Sequence, residues 1–247
     1  MGVGLSMAKG GAVIPYPETI PGLLLWLRYN NGHVSVDNET TLAGNIDDED
    51  RISKWLDYSS NNNHALQSEP TDCPLFESDD NTIEFSANSR WYDLTSTIAL
   101  TKEFTLIMRV KLTSVTNDSF FGDSGTNFFR ITNNKSFRAK IGGTAQNNFV
   151  EGSDTITHGI GAPYYIISLA RNSSNECSVV VHGGSYDAKI WSGTTTSDSD
   201  EFTISNVGCQ ADDAQEMGGN VKDVLIYENY LSTTEMSDMY TFLNAQG

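Results

Sequence analysis

Oxygen-bearing side chains crowd several stretches of this sequence, and crowded oxygens are what a hard cation needs. Asp57 with Asn61, Asp79 with Asp80, Asp123, and Asp212 with Asp213 all lie in polar, turn-like segments. Calcium takes roughly six to eight oxygens from carboxylates, amides and carbonyls, and no stretch here fits an EF-hand loop. The expectation is therefore a loop-built calcium site, with calcium the one candidate cofactor. The plainer reading of Asp57 is a turn cap that accepts from its own backbone, and of the other acids a solvated surface. A second chemistry is glycan recognition, which pairs exposed aromatic rings with amides and carboxylates. Trp191, between Lys189 and a polar run over 192–200, is the first candidate, and Tyr92 within Trp91-Tyr92-Asp93 the second. Trp26, Trp55 and Trp91 are expected to fill the core, as large aromatics do.

Catalytic patterns are missing. A glycosidase needs two carboxylates across the scissile bond, and no E-x-D-x-(x)-E run is present; Glu228 ends a strand at the wrong spacing. The nucleophile elbow, the H-E-x-x-H zinc motif and the P-loop are absent too. His33, His64, His158 and His182 are scattered without metal-ligand spacing. The chain reads as a non-enzyme with no catalytic residue to name.

The chain has 247 residues with a formal net charge of −17, from 15 Lys and Arg against 32 Asp and Glu. Such an excess disfavours nucleic acid and leaves cations, neutral glycans or basic protein surfaces as partners. With 38% hydrophobic and 19% charged residues, the chain is too apolar to be disordered. The three cysteines, Cys73, Cys177 and Cys209, are too few for a disulfide framework, and Cys177 sits in an apolar strand pattern that predicts a buried thiol. No run is long enough for a membrane helix, and the start has no signal-peptide pattern. Four N-x-S/T sequons, at Asn38, Asn117, Asn134 and Asn172, are what so much Asn, Ser and Thr produces by chance.

The elements that must position these residues are mostly strands. Residues 1–18 read as a Gly-rich arm ending in Pro15 and Pro17, with Gly2, Leu5, Met7 and Lys9 as candidate assembly contacts. Residues 19–247 read as one domain. The apolar run over 22–28 predicts a strand that is buried on both faces or in a covered position. Residues 104–112 alternate with Phe104, Leu106, Met108, Val110 and Leu112 on one face and Thr105, Arg109 and Lys111 on the other, Ile107 being the exception. This predicts a strand with one wet face. Further strands are predicted over 82–85, 128–132, 137–141, 164–170, 177–182 and 221–227, separated by turn signals such as Asn133-Asn134 and Gly183-Gly184. The acidic run at 47–50 reads as a surface loop. One helix closes the chain: Ser232 and Glu235 form a capping box, Leu231 and Met236 a hydrophobic staple, and Met236, Met239, Tyr240 and Leu243 one apolar stripe.

Several of these segments resemble the laminin-G-like, concanavalin A-like jelly rolls. Pro21-Gly22-Leu23-Leu24-Leu25-Trp26-Leu27 looks like their opening strand, and the run from Trp55 to Ala65 resembles their W-x-D-x-S-G-x-x-N-x-A segment, with Ser60 in place of Gly. The run over 74–85 looks like their next element. Phe104-Thr105-Leu106 and Gly219–Tyr227 followed by Leu231-Ser232-Thr233-Thr234-Glu235 are similar to later elements, in the same order over residues 20–244. The resemblance implies an all-β, two-sheet antiparallel jelly-roll sandwich with a short C-terminal helix. The Gly-rich start running straight into this fold resembles structural proteins of tailed bacteriophages. The function this implies is a non-catalytic virion structural or decoration protein on the capsid, neck or tail. It would be assembled in the host cytoplasm and dock on other virion proteins or copies of itself through the arm and its sheet surfaces. The alternative is a carbohydrate-binding module or lectin, with calcium assisting, that takes host-surface polysaccharide. Neither nucleic acid nor a membrane is an expected partner.

Overall fold

The computed structural model describes residues 16–28, 33–35, 46–86, 90–134, 136–142, 146–150, 155–195, 200–211 and 215–246. The arm contacts Gly2, Leu5, Met7 and Lys9, and the acidic pair Asp212 and Asp213, lie outside them.

Among the described residues, seventeen strands and one α-helix follow in chain order. The strands are β1 (Leu23–Arg28), β2 (His33–Ser35), β3 (Ile52–Trp55), β4 (Ala65–Leu66), β5 (Leu75–Glu77), β6 (Thr82–Phe85), β7 (Tyr92–Leu100), β8 (Phe104–Leu112), β9 (Asp118–Ser124), β10 (Asn127–Asn133), β11 (Ser136–Lys140), β12 (Gln146–Val150), β13 (Tyr165–Arg171), β14 (Glu176–Gly183), β15 (Tyr186–Thr195), β16 (Phe202–Val207) and β17 (Gly219–Tyr227); the helix is α1 (Thr233–Ala245). They form two antiparallel sheets. The first runs β15-β14-β13-β8-β17-β6-β5, with β1 also paired to β17; the second runs β12-β11-β10-β9-β16-β7-β4-β3-β2. This is the expected sandwich with a closing helix, and all eight strands read from the sequence are present, each within two residues at either end.

The space between the sheets holds the main core. Leu25 and Leu27, Phe104 through Leu112 at every second position, Phe120, Phe129, Val224 and Ile226 all bury there. Alternation along each strand sends one set of side chains inward.

The other set on β8 was expected to be wet, and here the structure differs. Thr105, Ile107 and Arg109 are buried as well. Helix α1 lies across the outer face of the first sheet and makes a second apolar cluster. Met239, Phe242 and Leu243 meet Trp26, Ile107, Ile166, Leu225 and Tyr227. Ile107, which breaks the alternation, belongs to this cluster. The same cover explains why β1 is buried on both faces, with Trp26 under the helix and Leu25 and Leu27 inside the sandwich. Burying each such side chain is worth roughly 1.5–3 kcal/mol against leaving it exposed.

The helix begins as its sequence predicts. Ser232 Oγ accepts from Glu235 N at 3.3 Å, and the Glu235 carboxylate accepts from Ser232 N at 2.8 Å. Phe242 joins the buried stripe, one position outside the pattern read from the sequence. It packs edge-on against Tyr16 at 5.3 Å, and Tyr227 Oη donates to Pro17 O at 3.1 Å, so the end of the arm is held on the domain. Among the described residues, no disulfide joins the three buried cysteines, and no helix is long and apolar enough to cross a membrane.

Candidate functional site

The segment from Trp55 to Asn63 carries the strongest sequence pattern, and its geometry assigns it a structural task. Among the described strands β1 pairs with β17 alone, and its other edge meets the segment at one antiparallel bridge, Leu27 with Asp57, where Tyr58 N donates to Trp26 O at 2.7 Å. Beyond that bridge the edge would leave backbone groups without partners, which a buried strand cannot sustain. Alternate residues of the segment fill that edge in antiparallel order. Trp55 Nε1 donates to Arg28 O at 2.6 Å, and Asp57 Oδ1 accepts from Trp26 N at 3.0 Å. Asn61 Nδ2 donates to Leu23 O and Leu24 O at 3.0 and 3.1 Å, with the Ser59 hydroxyl beside Leu24 O. The Asp57 carboxylate also accepts from Ser59 N, Ser59 Oγ and Asn63 N. The side chain of Asn63 then bonds Ser96, tying the segment to β7 of the opposite sheet.

This corrects the calcium reading for Asp57 and Asn61. The Asp57 oxygens face N–H and O–H donors, and the Asn61 amide nitrogen faces carbonyls, so the pair is committed to the edge. Asp80 accepts from Lys111 Nζ and from Tyr164 Oη, and that company holds its carboxyl below the usual range, the lysine bond first. Asp123 accepts from Thr203 and Ser205 hydroxyls, and Asp79 is exposed on a turn. The structure therefore does not bring these candidates together, and among the described residues no cluster of three or more metal-ligating His, Cys, Asp or Glu side chains forms.

Tyr92 is likewise corrected as a glycan contact: its ring is fully buried and its hydroxyl donates to Ile52 O at 2.9 Å. Trp91 is 8% exposed, as expected of a core aromatic. Trp191 lies on β15 opposite Val179, and its side chain falls outside the described residues.

A recess that the sequence reading missed opens at one end of the first sheet. It measures about 500 Å³ and is lined by Lys102 and Glu103, by Asn172, Ser173 and Asn175, and by Glu228 and Asn229. Each wall is a chain reversal or link. Lys102 and Glu103 join β7 to β8, the second group joins β13 to β14, and the third leads from β17 into α1. The middle wall is rigid. Asn172 Oδ1 accepts from Ser174 N and Glu176 N, and Asn175 takes the left-handed conformation at φ 61°, which asparagine tolerates. The third wall is pinned by Thr105, whose hydroxyl donates to Asn229 O and accepts from Leu231 N. Asn229 Nδ2 reaches Pro21 O at 3.2 Å only because Gly22, at φ 81°, has no Cβ; one built there would sit 2.4 Å from that amide nitrogen. Tyr230 follows in the chain with 43% of its surface exposed. Amides, carboxylates, a hydroxyl and an ammonium on a pre-set frame offer hydrogen bonds of both senses, the complement of a polyhydroxylated ligand.

From the sequence, Asn172 stands out as a sequon and Glu228 as the end of a strand. What joins them in one recess is that β8, β13 and β17 lie side by side, a long-range pairing no local pattern shows.

No family model matches this chain, and no curated protein does. Solved structures with the same sandwich do. Trypanosoma rangeli sialidase superposes with a TM-score of 0.53 at 13% identity, over 93% of this chain and 33% of its own. The binding domain of botulinum neurotoxin DC, in complex with SialylT, gives 0.55 at 11% identity, over 90% of this chain and 52% of its own. A GH54 α-L-arabinofuranosidase gives 0.50 at 12% identity, over 87% and 57%. This chain thus spans about a third to just over half of the length of these proteins, and at such identities the likeness is one of fold alone, a β-sandwich.

Proposed function

We propose that this protein is a carbohydrate-binding module of lectin type, without catalysis, and that the Asn- and Glu-lined recess takes a sugar unit. The carrying observation is the recess itself, a cavity of about 500 Å³ lined by polar side chains, two of whose three walls are fixed before any ligand arrives. The fold's company supports the reading, since one of the superposed structures is a binding domain solved with a sialyl ligand. The enzymes among them share the sandwich only, and the paired-carboxylate spacing of a retaining or inverting glycosidase is not carried by any motif here. A virion role finds no such support, for neither the toxin domain nor the two enzymes is a virion protein. A sugar held in the recess needs no calcium ion, and the acidic pair Asp212 and Asp213 lies outside the described residues.

A glycan array probed with the whole chain tests this. Retention of a defined subset of glycans, weakened at least tenfold by Glu228→Ala and by Glu103→Ala with the fold intact, is the expected result. Glu228 is exposed, so its replacement costs little stability. No retained glycan, or retention indifferent to both substitutions, would overturn it.

A further inference from the structure

A second cavity adjoins the recess, and its chemistry is the opposite. It measures about 470 Å³ and lies between helix α1 and strands β14 and β15. Ser178, Val180 and His182 line it from alternate positions of β14, and Ile190 of β15 is the cross-strand partner of Val180. Met236, Tyr240 and Asn244, about one turn apart, supply the helix side. Two walls run on from one cavity to the other. The link from β17 into α1 gives Glu228 and Asn229 to the recess, then Tyr230 and Leu231 to this groove. The chain that turns through Asn172 and Asn175 at the recess enters β14 and lines the groove from Ser178 onward. Thr105, bonded to Asn229 O and Leu231 N, holds the join in place.

The groove is surfaced with hydrocarbon. Four large hydrophobic side chains are exposed among the described residues, and two of them, Ile190 at 56% and Tyr230, line this one cavity. Val180 and Met236, partly buried against the cluster under the helix, continue the surface. Stacking on a sugar face is not what it offers. The Tyr240 ring is 7% exposed, and the His182 ring lies parallel to it at 4.9 Å. The Thr241 hydroxyl donates to Ser237 O at 2.9 Å within the helix. What stays open is chiefly aliphatic, with the Tyr230 ring at the join. The volume falls within the roughly 300–1,000 Å³ of small-ligand pockets, enough for one alkyl group and too little for a helix or strand of a partner.

We propose that recess and groove together bind an alkyl glycoside, with the sugar in the recess, the alkyl chain in the groove and Tyr230 between them. Two adjoining cavities of opposite polarity match the two ends of such a molecule. A free oligosaccharide would instead lay hydroxyls against Val180, Ile190 and Met236, which cannot bond them. The sugar end rests on the glycan reading above; the alkyl end rests on the groove alone. Each methylene taken out of water is worth about fourfold in affinity, so a tenfold gain asks for only about two of them.

Amide chemical-shift titration of the full chain tests this with the methyl and octyl β-glycosides of D-glucose and of D-galactose, the octyl compounds kept below their micellar concentrations, and with 1-octanol. An octyl glycoside should shift the amides of Glu103, Asn172 and Glu228 in the recess and of Val180, Ile190 and Met236 in the groove. Its methyl counterpart should shift the recess alone and bind at least tenfold more weakly. Ile190→Ser, at an exposed position, and Met236→Gln, at a partly exposed one, should each cut the octyl gain to threefold or less and leave the methyl glycoside unchanged. Glu228→Ala should weaken both compounds alike. Groove amides that stay still with every probe, or an octyl gain indifferent to both substitutions, would overturn the groove and leave the recess reading standing. A groove that answers 1-octanol as strongly as the octyl glycosides, with the recess amides unmoved, would overturn the joined site and the sugar in the recess together.

Discussion

Asp57 and Asp223 are both buried carboxylates, 8% and 1% exposed, and both lie against β1. Their surroundings are opposite. Asp57 is met by four donors, the N–H groups of Trp26, Ser59 and Asn63 and the Ser59 hydroxyl. Asp223 is met by side-chain cations set back from it, Arg109 at 3.9 Å foremost. Burial pushes its pKa up to about 6, against the pull of Arg109, Arg28, the Trp26 indole and Lys222. Short bonds from fixed backbone donors make a carboxylate part of the architecture. A carboxylate balanced by distant charge stays adjustable, and such positions cluster where ligands bind.

The contrast can be broken by mutation. Asp57→Ala should have the largest effect, about 3 kcal/mol or more in denaturant unfolding, because three backbone N–H groups lose their acceptor and the free edge of β1 opens. A loss under about 1 kcal/mol would show that the edge does not depend on it. Asp223→Asn should act through pH. The folded-state pKa of Asp223 is raised, so its native form binds a proton more tightly than the unfolded chain. Its contribution to stability is present below the unfolded value of 3.8 and is lost as pH rises through about 6. Relative to the parent, the variant should therefore gain about 3 kcal/mol between pH about 4 and about 7. A flat difference, or one of the other sign, would put Asp223 in the same class as Asp57. Ser59→Ala should cost least, about 1 kcal/mol with no pH dependence, since it removes one hydroxyl from the carboxylate and leaves its N–H donors in place.

Legibility followed locality. The Phe104–Leu112 alternation and the Ser232–Glu235 box were readable because each is a contact between near neighbours in the chain. Strand β7, with exposed Asp93, Thr95 and Ser96 among its buried positions, and β9, with Asp118 and Gly122, were not, because their polar residues mask the period. Three of the candidates on described residues, Tyr92, Asp80 and Asp123, are engaged elsewhere for a related reason. Residue type names a chemistry but not an address, so Tyr92 proved to be core and Asp80 and Asp123 proved to be held by a lysine and by hydroxyls.

By itself the sequence determined the class of fold, eight of the described strands, and the helix and its cap. Only the tertiary structure decided that α1 covers one face of the first sheet and stops short, so that Arg109 is buried beside Ile107 on the same strand. It alone brought residues 28, 109 and 223 into one row and the 102, 172 and 228 turns around one recess. The physical reason is that cross-strand neighbours are chosen by strand order and register, which depend on burying both sheets at once, and a single bulge at Lys222 is enough to change which charges meet.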